Sequence, residues 1–459
     1  MKKVALSALA AAMISGVASA DALTLYSDPK TGQVFTTPGQ GRVEMGDFIS
    51  AKDVDMQVRD LESKNSEYQD KMSKYANVKS KAKTLEFSGT HYFGLTSTSP
   101  STLNTNAGAG VTSSYPGTSS GFELRRNYLQ VKAYFNDKDY FRVTMDTTKE
   151  IGADETKRAG YANMYAKYAY LYLDKVLPYT GVEIGIAHRP WIDYEEHNAW
   201  HYRSFNKVVL EEKNTRTETG VDLVNSADLG VNFQTKTDAF SSEIGIFNGE
   251  GYHADKAAAN QASDSKLSLE WRLTGHILGD GTKVGKNDRT KDTYANISTY
   301  GLISKNHKDD DTDLQGTLSP NEYDRSIYGI HAVYNQPEFL IAGQYFTAKD
   351  DKRTKDIATT FDTKEYKGWS INAEYRPIKD WTVIGRYDNY EIEQELNGAK
   401  NSRIKGDKII AGLGYNYSKN VNFIASAKFA DEKDELVAAK VNDTGASKDV
   451  YMLTTEVKW

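Results

Sequence analysis

The last eleven residues of the chain, Asp449–Trp459 (DVYMLTTEVKW), decide the fold because their side chains alternate between two faces. The mostly apolar face holds Tyr451, Leu453, Thr455, Val457 and Trp459. The more polar face holds Val450, Met452, Thr454, Glu456 and Lys458. A period of two indicates a β-strand. An unpaired strand at a chain end would be an exposed sheet edge, so we expect this strand to pair with another and close a barrel.

The first twenty residues have the three parts of a secretory signal. Lys2 and Lys3 precede an apolar stretch, Val4–Ile14, and the small residues Ala18-Ser19-Ala20 follow it. An N-terminal helix of the mature fold is the alternative. Beyond Ala20 no stretch approaches the ~20 apolar residues that a membrane-spanning helix needs. The sequence therefore predicts a signal peptide over 1–20 and an exported mature chain.

The composition narrows the class of protein. The formal net charge of −6, or −8 without Lys2 and Lys3, gives no support for nucleic-acid binding. The chain has no cysteine, so an exported fold cannot use disulfides and depends on burial and hydrogen bonding. Apolar residues make up only 39% of the chain, while tyrosine is abundant at 30 residues. Such a composition is typical of a transmembrane barrel, in which only alternate residues face lipid.

Residues 21–83 form a separate N-terminal extension. Two strand-like runs, Leu23–Tyr26 and Gln33–Thr36, flank the turn-forming segment Asp28–Gly32 and predict a hairpin. From Lys52 to Lys79, seam residues then recur at spacings of four and three, namely Val54, Val58, Leu61, Asn65, Tyr68, Met72 and Tyr75. This spacing predicts a coiled-coil-like helix. A single solvated helix docked on the barrel is the alternative.

Residues 84–459 predict an all-β fold, a 16-stranded antiparallel transmembrane β-barrel, because sixteen alternating runs are separated by turn signals. The runs are Leu85–Leu95, Phe122–Phe135, Asp139–Thr148, Tyr161–Leu173, Val182–His188, Thr217–Phe233, Ser241–Phe247, Lys266–Thr274, Asp292–Ile303, Ser326–Tyr334, Phe339–Phe346, Glu365–Arg376, Trp381–Glu391, Asp407–Tyr417, Val421–Ala430 and Asp449–Trp459.

The connections between these runs alternate between short and long. Asn136–Lys138 and Ser418–Asn420 are tight turns, whereas Arg189–Arg216 and Leu396–Gly406 are long polar loops. Short turns at one end of a barrel and long loops at the other are typical of outer-membrane barrels. Gly275–Lys291 departs from the pattern, because it is long where a short turn is expected. A soluble β-sandwich, which also has a period of two, is the alternative.

The strand faces that we expect to point inward carry charges of both signs. The cations are Arg126, Lys132, Arg142, Arg272, Arg376 and Arg386. The anions are Asp146, Glu183, Glu243, Glu270, Glu374 and Asp388. Because the two signs nearly cancel, the sequence predicts a pore with a mixed lining and weak selectivity for either sign.

The third long loop, Arg189–Arg216, is predicted to fold into the barrel and narrow it. Its charged side chains include Arg189, Asp193, Glu195, Glu196 and Arg203, which would face the arginines of the strands. An external loop held together by its own aromatic residues is the alternative.

Two further patterns have residue types that could bind a metal ion. His197 and His201 lie four apart, but Asn198 stands where a zinc-protease motif requires glutamate. The acidic run Asp309–Asp313 lacks the glycine and the distal glutamate of an EF-hand, so a solvated loop is expected and calcium binding is the alternative. No nucleophile-elbow motif or phosphate-binding glycine loop occurs. The sequence therefore predicts no catalytic residue, no metal and no cofactor.

Several segments together resemble a known family. They are Glu123–Val131, Thr144–Asp146, Gly185–Trp191, Phe247–Gly251 and Gly385–Asp388. The chain is similar over Leu85–Trp459 to the phosphate-selective porin O and P family of Gram-negative outer-membrane porins. The resemblance implies a trimeric 16-stranded barrel with its third loop in the pore, Trp459 as part of the signal read by the barrel-assembly machinery, and a periplasmic extension. The mixed lining departs from phosphate selectivity, which requires a dense row of cations.

The predicted function is passive diffusion of ions and small hydrophilic solutes through an outer-membrane homotrimer surrounded by lipid. Two other functions fit a large barrel, and both stay open at this point. One is an outer-membrane enzyme, for which a convergent catalytic set would be needed. The other is a surface adhesin, which the long polar loops and the heptads would suit.

Overall fold

The structure is a computed structural model that describes residues 23–48, 51–75, 81–99, 119–149, 162–212, 220–249, 251, 267–309, 321–352, 362–438 and 446–459. The predicted signal peptide lies outside these residues. Contacts between residues divide the chain into two units, with the division between Ser80 and Lys81.

The first unit contains a small sheet and one helix. Strands β1 (Leu23–Ser27), β2 (Val34–Phe35) and β3 (Val43–Phe48) form an antiparallel sheet in the order β2-β1-β3. β1 and β2 are the two arms of a hairpin, and β3 is a third strand that the sequence analysis missed. Helix α1 (Ala51–Tyr75) follows. Within the described residues, no helix is long and apolar enough to cross a membrane.

The second unit is a closed antiparallel barrel of sixteen strands, which confirms the predicted fold. The strands are β4 (Thr84–Thr98), β5 (Ser119–Tyr134), β6 (Tyr140–Lys149), β7 (Ala162–Leu177), β8 (Thr180–His188), β9 (Ala227–Lys236), β10 (Phe240–Phe247), β11 (Ser268–Leu278), β12 (Tyr294–Asp309), β13 (Asn321–Gln336), β14 (Phe339–Lys352), β15 (Thr363–Tyr375), β16 (Trp381–Leu396), β17 (Ala399–Asn416), β18 (Val421–Asp434) and β19 (Ala446–Lys458). Because the sheet closes on itself, the sandwich alternative is wrong.

The chain end closes the barrel as the sequence predicts. β19 pairs with β4, and Leu453 lies opposite Leu95 in that pairing. Tyr451 and Leu453 are about half exposed on the outer surface, whereas Met452 and Thr454 are buried on the inner one. The outer surface thus carries the apolar residues that lipid requires, with exposed aromatic rings such as Phe135 near the short turns.

Trp459 lies over the seam between β19 and β4. Its backbone exchanges two hydrogen bonds with Gly89, of 2.9 and 3.1 Å. Its indole Nε1 donates to Nε2 of His91 at 2.9 Å, and the two rings stack. A Cβ at position 89 would lie 2.6 Å from the indole. The missing side chain of Gly89 therefore gives the terminal indole its place on the seam.

The two ends of the barrel differ in their connections. We call one end of the barrel the turn end; β4 begins there and β19 ends there. Six of the connections at the turn end are short. The seventh, residues 279–293 between β11 and β12, is long. This connection corresponds to the predicted segment Gly275–Lys291, which is long where a short turn is expected. We call residues 279–293 the β11–β12 loop. The opposite end is the loop end.

Two predicted boundaries are wrong. β9 begins at Ala227 and not at Thr217, because Val221 and Leu223 hydrogen-bond to Val209 and Leu210 of the preceding loop rather than to a barrel strand. The predicted loop Leu396–Gly406 is instead the two-residue turn Asn397-Gly398, with β17 starting at Ala399. Both turn residues have positive φ, of 54° and 75°, as a tight hairpin of twisted strands requires.

Candidate functional site

The connection between β8 and β9 is described over residues 189–212 and 220–226, which lie inside the barrel, and we call these residues the β8–β9 loop. It contains helix α2 (Ile192–Asn198). Trp191 stacks on Tyr300 of β12 with ring centroids 3.7 Å apart. Side chains from strands on different sides of the barrel donate hydrogen bonds to its carbonyl oxygens: Arg125 to Ser204, Arg325 to Leu223, Asn372 to Ala199 and Arg386 to Lys207. Bonds from such widely separated strands can converge only on a loop within the lumen.

An apolar cluster attaches this loop to one half of the inner wall. The loop contributes Trp191, Ile192, Tyr194, Trp200, Tyr202, Phe205, Val208, Val209, Leu210, Val221, Leu223 and Val224. The strands contribute Tyr300, Leu302, Ile327, Phe346, Ala348, Tyr366, Ile384, Tyr390, Ile392, Ile410, Ile424, Val450 and Met452. Burial of so many apolar side chains stabilises the loop against the β12–β19 wall and excludes water from that half of the lumen.

The loop also reaches the turn end of the barrel. Tyr294, the first residue of β12, donates a hydrogen bond from its hydroxyl to the carbonyl oxygen of Asn198 at 2.8 Å. Ala199 packs with Leu340, which lies near the start of β14. Because β12 and β14 both begin at the turn end, the β8–β9 loop extends from the loop end down through the height of the barrel.

A buried ion pair holds the root of the loop. Arg189 directly follows β8, and its Nε donates to both carboxylate oxygens of Glu270 on β11, at 3.0 and 2.8 Å. The side chains are only 2% and 4% exposed. A bidentate pair of this kind fixes direction as well as distance, so it determines how the chain leaves the wall.

In the described part of the chain, two cavities lie on the other side of the loop, against the wall formed by β4–β10, β18 and β19. The turn-end cavity, of about 500 Å³, is lined by residues that include Arg142, Lys167, His188, Asp193, Lys286 and Lys458. The loop-end cavity, of about 700 Å³, is lined by residues that include Arg126, Tyr165, Lys207, Lys428 and Lys448. Of the residues that line them in the described part of the chain, only Arg203 is shared. The two cavities therefore meet at Arg203, which makes this place the candidate narrow point of the barrel.

Arg203 is held by carboxylates of its own loop. Its guanidinium forms ion pairs with Glu196 and Glu211, and the contact from Nη2 to Oε1 of Glu211 is 2.7 Å. On the facing wall, Lys167 donates to the hydroxyl of Tyr128 at 2.7 Å. The narrow point is thus formed by a fixed guanidinium opposite an amine and tyrosine rings.

A second pair lies beside this point on β5 and β6. Arg126 contacts Asp146 at 3.2 Å, and the hydroxyl of Tyr165 donates to the same carboxylate at 2.9 Å. A bulge in β5 shifts the register between Tyr92 and Phe93, where Arg126 and Leu124 are the successive partners. Arg125 and Arg126 consequently both line the loop-end cavity.

The turn-end cavity contains a histidine with carboxylates on either side. Nδ1 of His188 lies 3.2 Å from Glu183, and its Nε2 lies 3.2 Å from the guanidinium of Arg142 and 3.6 Å from Asp193. Burial would raise the pKa of Asp193, but positive charge on His197, His188 and Arg142 outweighs it and lowers that pKa to about 2. Asp193 is therefore ionised at every physiological pH.

Glu195 differs from Asp193, two residues earlier, because its surroundings disfavour ionisation of its carboxyl group. Burial raises the pKa of its carboxyl to about 8, despite the opposing charge of Arg386, and Asp388 and Glu196 add to the rise. Gln344 on β14 donates to one carboxyl oxygen at 2.5 Å, and the other oxygen has no hydrogen-bond partner within the described residues. Glu195 is thus mostly protonated at neutral pH and packs as a neutral group.

Other predicted pore residues pair away from the shared narrow point. Arg272 contacts Glu243 at 3.1 Å, and Arg386 contacts Asp388 at 2.7 Å. Lys132 lies 3.6 Å from Glu86, at the turn end of β5. Among the predicted residues, those that line the cavities are Arg126, Arg142, Glu183, Asp193, Glu196, Arg203 and Glu243. Glu195, Glu270, Arg386 and Asp388 line neither cavity and form contacts that hold the loop.

The chain is similar to solved structures of outer-membrane proteins, of which two are given as examples. One is an anion-selective porin from Comamonas acidovorans, at 12% identity and a TM-score of 0.50, covering 82% of this chain and 99% of that one. The other is OmpT, an outer membrane protein of Vibrio cholerae in a trimer form, with the same identity, coverage and TM-score. At this identity the likeness concerns the fold. The chain has the fold of an outer-membrane porin.

No protein-family model matches the chain. No curated protein matches it by sequence. The resemblance to the phosphate-selective porin O and P family therefore stays a prediction.

Several charged residues inside the barrel were not predicted from the sequence. They are Lys167 at the narrow point, Arg289 in the β11–β12 loop, and the buried pairs of Arg325 with Asp350 and of Lys408 with Asp388. Lys167 and Tyr168 both line the turn-end cavity because a bulge shifts the β6–β7 register between Thr144 and Met145. Strict alternation cannot reveal two consecutive inward residues.

The two patterns considered for metal binding are His197 with His201 and the acidic run Asp309–Asp313. Within the described residues, no group of three or more His, Asp and Glu side chains could hold a metal ion. Burial lowers the pKa of His201 well below its usual range, while Nδ1 of His197 donates to the carbonyl oxygen of Asp193 at 2.8 Å. Most of the acidic run Asp309–Asp313 lies outside the described residues.

Proposed function

We propose that the protein is an outer-membrane porin, a water-filled channel for passive diffusion of ions and small hydrophilic solutes. The observation that carries the proposal is the pair of polar cavities that meet at Arg203. They lie on either side of one point along a barrel whose other half is filled by the β8–β9 loop. A sixteen-stranded barrel is wide enough for an aqueous channel, and a loop that fills half of it would leave a restricted path.

The β8–β9 loop is the proposed constriction. Arg203 with Glu196 would face Lys167 and Arg126 across the path, so that permeating solutes pass between fixed charges. A transverse arrangement of this kind orients water and sorts solutes by charge and size. Glu270, Arg386 and Asp388 would act on the path only by holding the loop.

The proposed selectivity is weak and favours anions. Among the described residues, six lysines and arginines line each cavity, Arg203 being common to both, against four carboxylates at the turn end and two at the loop end. Several acidic residues that the sequence assigns to the lumen are paired within the loop packing and do not line either cavity. The excess of cations favours anion entry without excluding cations.

We also propose a homotrimer in a bacterial outer membrane, with the signal peptide removed and the N-terminal extension in the periplasm. Val54, Val58 and Leu61 of α1 are 43–46% exposed, as the seam of a helix that associates with other copies would be in one isolated chain. Trp459, exposed at the closing seam, is the proposed signal for the barrel-assembly machinery.

Planar-bilayer recording tests the channel function. Folded protein should give discrete single-channel currents, and a salt gradient should give a small reversal potential of the sign expected for anions. Full absence of currents from folded protein would refute the porin proposal. A strong preference for cations would refute the proposed path along β4–β10 and leave the channel itself intact. The oligomer is tested by comparing the electrophoretic mobility of heated and unheated protein.

A further inference from the structure

The β11–β12 loop, residues 279–293, enters the barrel from the end opposite to the β8–β9 loop. Its beginning is a short 3₁₀ turn, Gly281–Lys283, capped by Asp280, whose carboxylate accepts from the backbone N–H of Thr282 at 2.9 Å. The N–H of Gly281 donates to the carbonyl of Asp238 in the neighbouring turn at 2.8 Å. These hydrogen bonds hold the beginning of the β11–β12 loop in one conformation against the neighbouring turn.

The middle of the loop packs against the tip of the β8–β9 loop. Val284 is 5% exposed and belongs to the same apolar cluster as the side chains of the β8–β9 loop. The next residue, Gly285, donates its backbone N–H to the side-chain oxygen of Asn198 at 3.5 Å. A connection at the turn end therefore contributes to the core that holds a loop from the loop end.

Arg289 fastens this contact to the barrel wall. Its Nη1 donates to the hydroxyl of Tyr202 at 3.2 Å and to the carboxylate of Glu374 on β15 at 2.7 Å. The guanidinium also lies over the Tyr202 ring, 5.1 Å from its centroid. Asn335 of β13 donates to the carbonyl of Arg289 at 3.0 Å. Arg289 thus joins Tyr202, near the tip of the β8–β9 loop, to two wall strands.

The same loop faces the proposed path. Val284, Gly285 and Lys286 line the turn-end cavity together with His197 and Asn198 of the β8–β9 loop. Lys286 is exposed and adds a positive charge to that lining. The exposed Lys283, three residues earlier on the same loop, lines neither of the two cavities.

We propose that the β11–β12 loop is a second pore element, in which Arg289 positions the tip of the β8–β9 loop and Lys286 contributes to anion selectivity at the turn end. This inference rests on the proposed porin function. It assigns a role to the one connection that broke the alternation of short turns and long loops. It also makes the width of the path depend on two loops that meet from opposite ends.

Cysteine substitution tests the lining role directly, because the natural chain has no cysteine. Full-length Lys286→Cys is reconstituted in planar bilayers and treated with methanethiosulfonate reagents that carry either a sulfonate or a trimethylammonium group. Both reagents should cause a stepwise loss of single-channel conductance, and they should shift the reversal potential in opposite directions. Lys283→Cys is the matched control and should respond to neither.

Arg289→Ala tests the positioning role. The change leaves Glu374 with its second cation, Arg376, at 2.6 Å, so the barrel should still fold. Arg289→Ala removes the charged hydrogen bond to Tyr202 that holds the tip of the β8–β9 loop. We therefore expect displaced loop positions, and with them current substates, to become about ten times more frequent. Arg289→Lys keeps the positive charge and should have fewer current substates than Arg289→Ala. A uniform fall in the heat stability of the trimer without added substates would indicate a merely structural role and overturn this assignment.

The outcomes separate the inference from the function on which it rests. Channels from the unmodified protein, combined with no response of Lys286→Cys to either reagent, would overturn the lining role while the porin proposal stands. No channels from folded unmodified protein would overturn the porin proposal. Equal block of Lys286→Cys and Lys283→Cys would contradict the specific placement of Lys286 on the path.

Discussion

Replacing Arg203 with alanine should loosen the β8–β9 loop and widen the narrow point. The Arg203 side chain is 8% exposed, and its partners Glu196 and Glu211 are 15% and 1% exposed. Removal of the guanidinium would leave two carboxylates in a poorly hydrated position. The nearby Lys207, 3.5 Å from Glu211, compensates in part. We expect the substituted loop to populate displaced conformations that hydrate these carboxylates.

The size of the effect follows from the burial of the pair. Removing one partner of a buried ion pair costs about 3–5 kcal/mol, because the remaining charge is uncompensated. A change of that size shifts the balance between docked and displaced loop conformations by more than about a hundredfold. The barrel itself should persist, since its strands are held by a closed backbone ladder to which Arg203 does not contribute.

Single-channel recording measures the outcome. We expect Arg203→Ala to show higher mean conductance, added current substates and a reversal potential nearer zero, because one cation leaves the path. Arg203→Ala combined with Glu196→Gln and Glu211→Gln is the control. It removes the stranded charges, so the substates should fall while the conductance stays high. Wild-type conductance, noise and reversal potential in the folded Arg203→Ala protein would refute the placement of the narrow point.

Three further changes have expected outcomes. Because the pKa of Glu195 is raised to about 8 in the packed loop, its contribution to loop packing is largest below the ordinary carboxyl range, decreases as pH rises toward about 8 and is constant above that pH. Channel noise should therefore increase between the ordinary carboxyl range and about pH 8 in the natural protein, level off above it, and stay constant throughout in Glu195→Gln. Arg189→Ala leaves Glu270 buried without its cation, so the temperature at which folded mobility is lost in electrophoresis should fall, consistent with a cost of about 3–5 kcal/mol, and a smaller fall is expected for Arg189→Lys. Deletion of Trp459 should lower the yield of folded trimer more than it changes selectivity, and Gly89→Leu should have a similar effect because the new side chain would occupy the place of the indole; normal yields from both would contradict the role of the seam.

The strand count and the closing strand could be predicted from the sequence because both depend on local alternation. Leu453 faces outward and Met452 inward, as their positions in DVYMLTTEVKW indicate. Each short turn also carries a local signal. The turn at Asn397-Gly398 carries a strong hairpin signal, but the charged and polar residues on both sides of it favour a long loop, which the structure does not have.

The long-range arrangement of the site could not be predicted in the same way. Arg203 and Glu196 could be predicted as pore residues from the loop that carries them, but no local pattern relates them to Lys167 on β7. Strand alternation also assigns every inward charge to the lining. The pairing of Arg189 with Glu270, 81 residues apart, shows why that count misleads, because paired and buried charges contribute little to the field in the open path.

One signal for the covered half of the lumen was present in the sequence. A strand between lipid and water should alternate apolar and polar residues, yet β16, β17 and β18 contain the adjacent apolar pairs Val383-Ile384, Ile409-Ile410 and Phe423-Ile424. In each pair the first residue is exposed on the outer surface and the second is at most 2% exposed beneath the β8–β9 loop. Apolar residues on both faces of neighbouring strands therefore indicate a wall with lipid outside and packed protein inside. Because β5 and β6 instead place Arg126, Arg142 and Asp146 inward, the same comparison of faces predicts which half of such a barrel stays open to water.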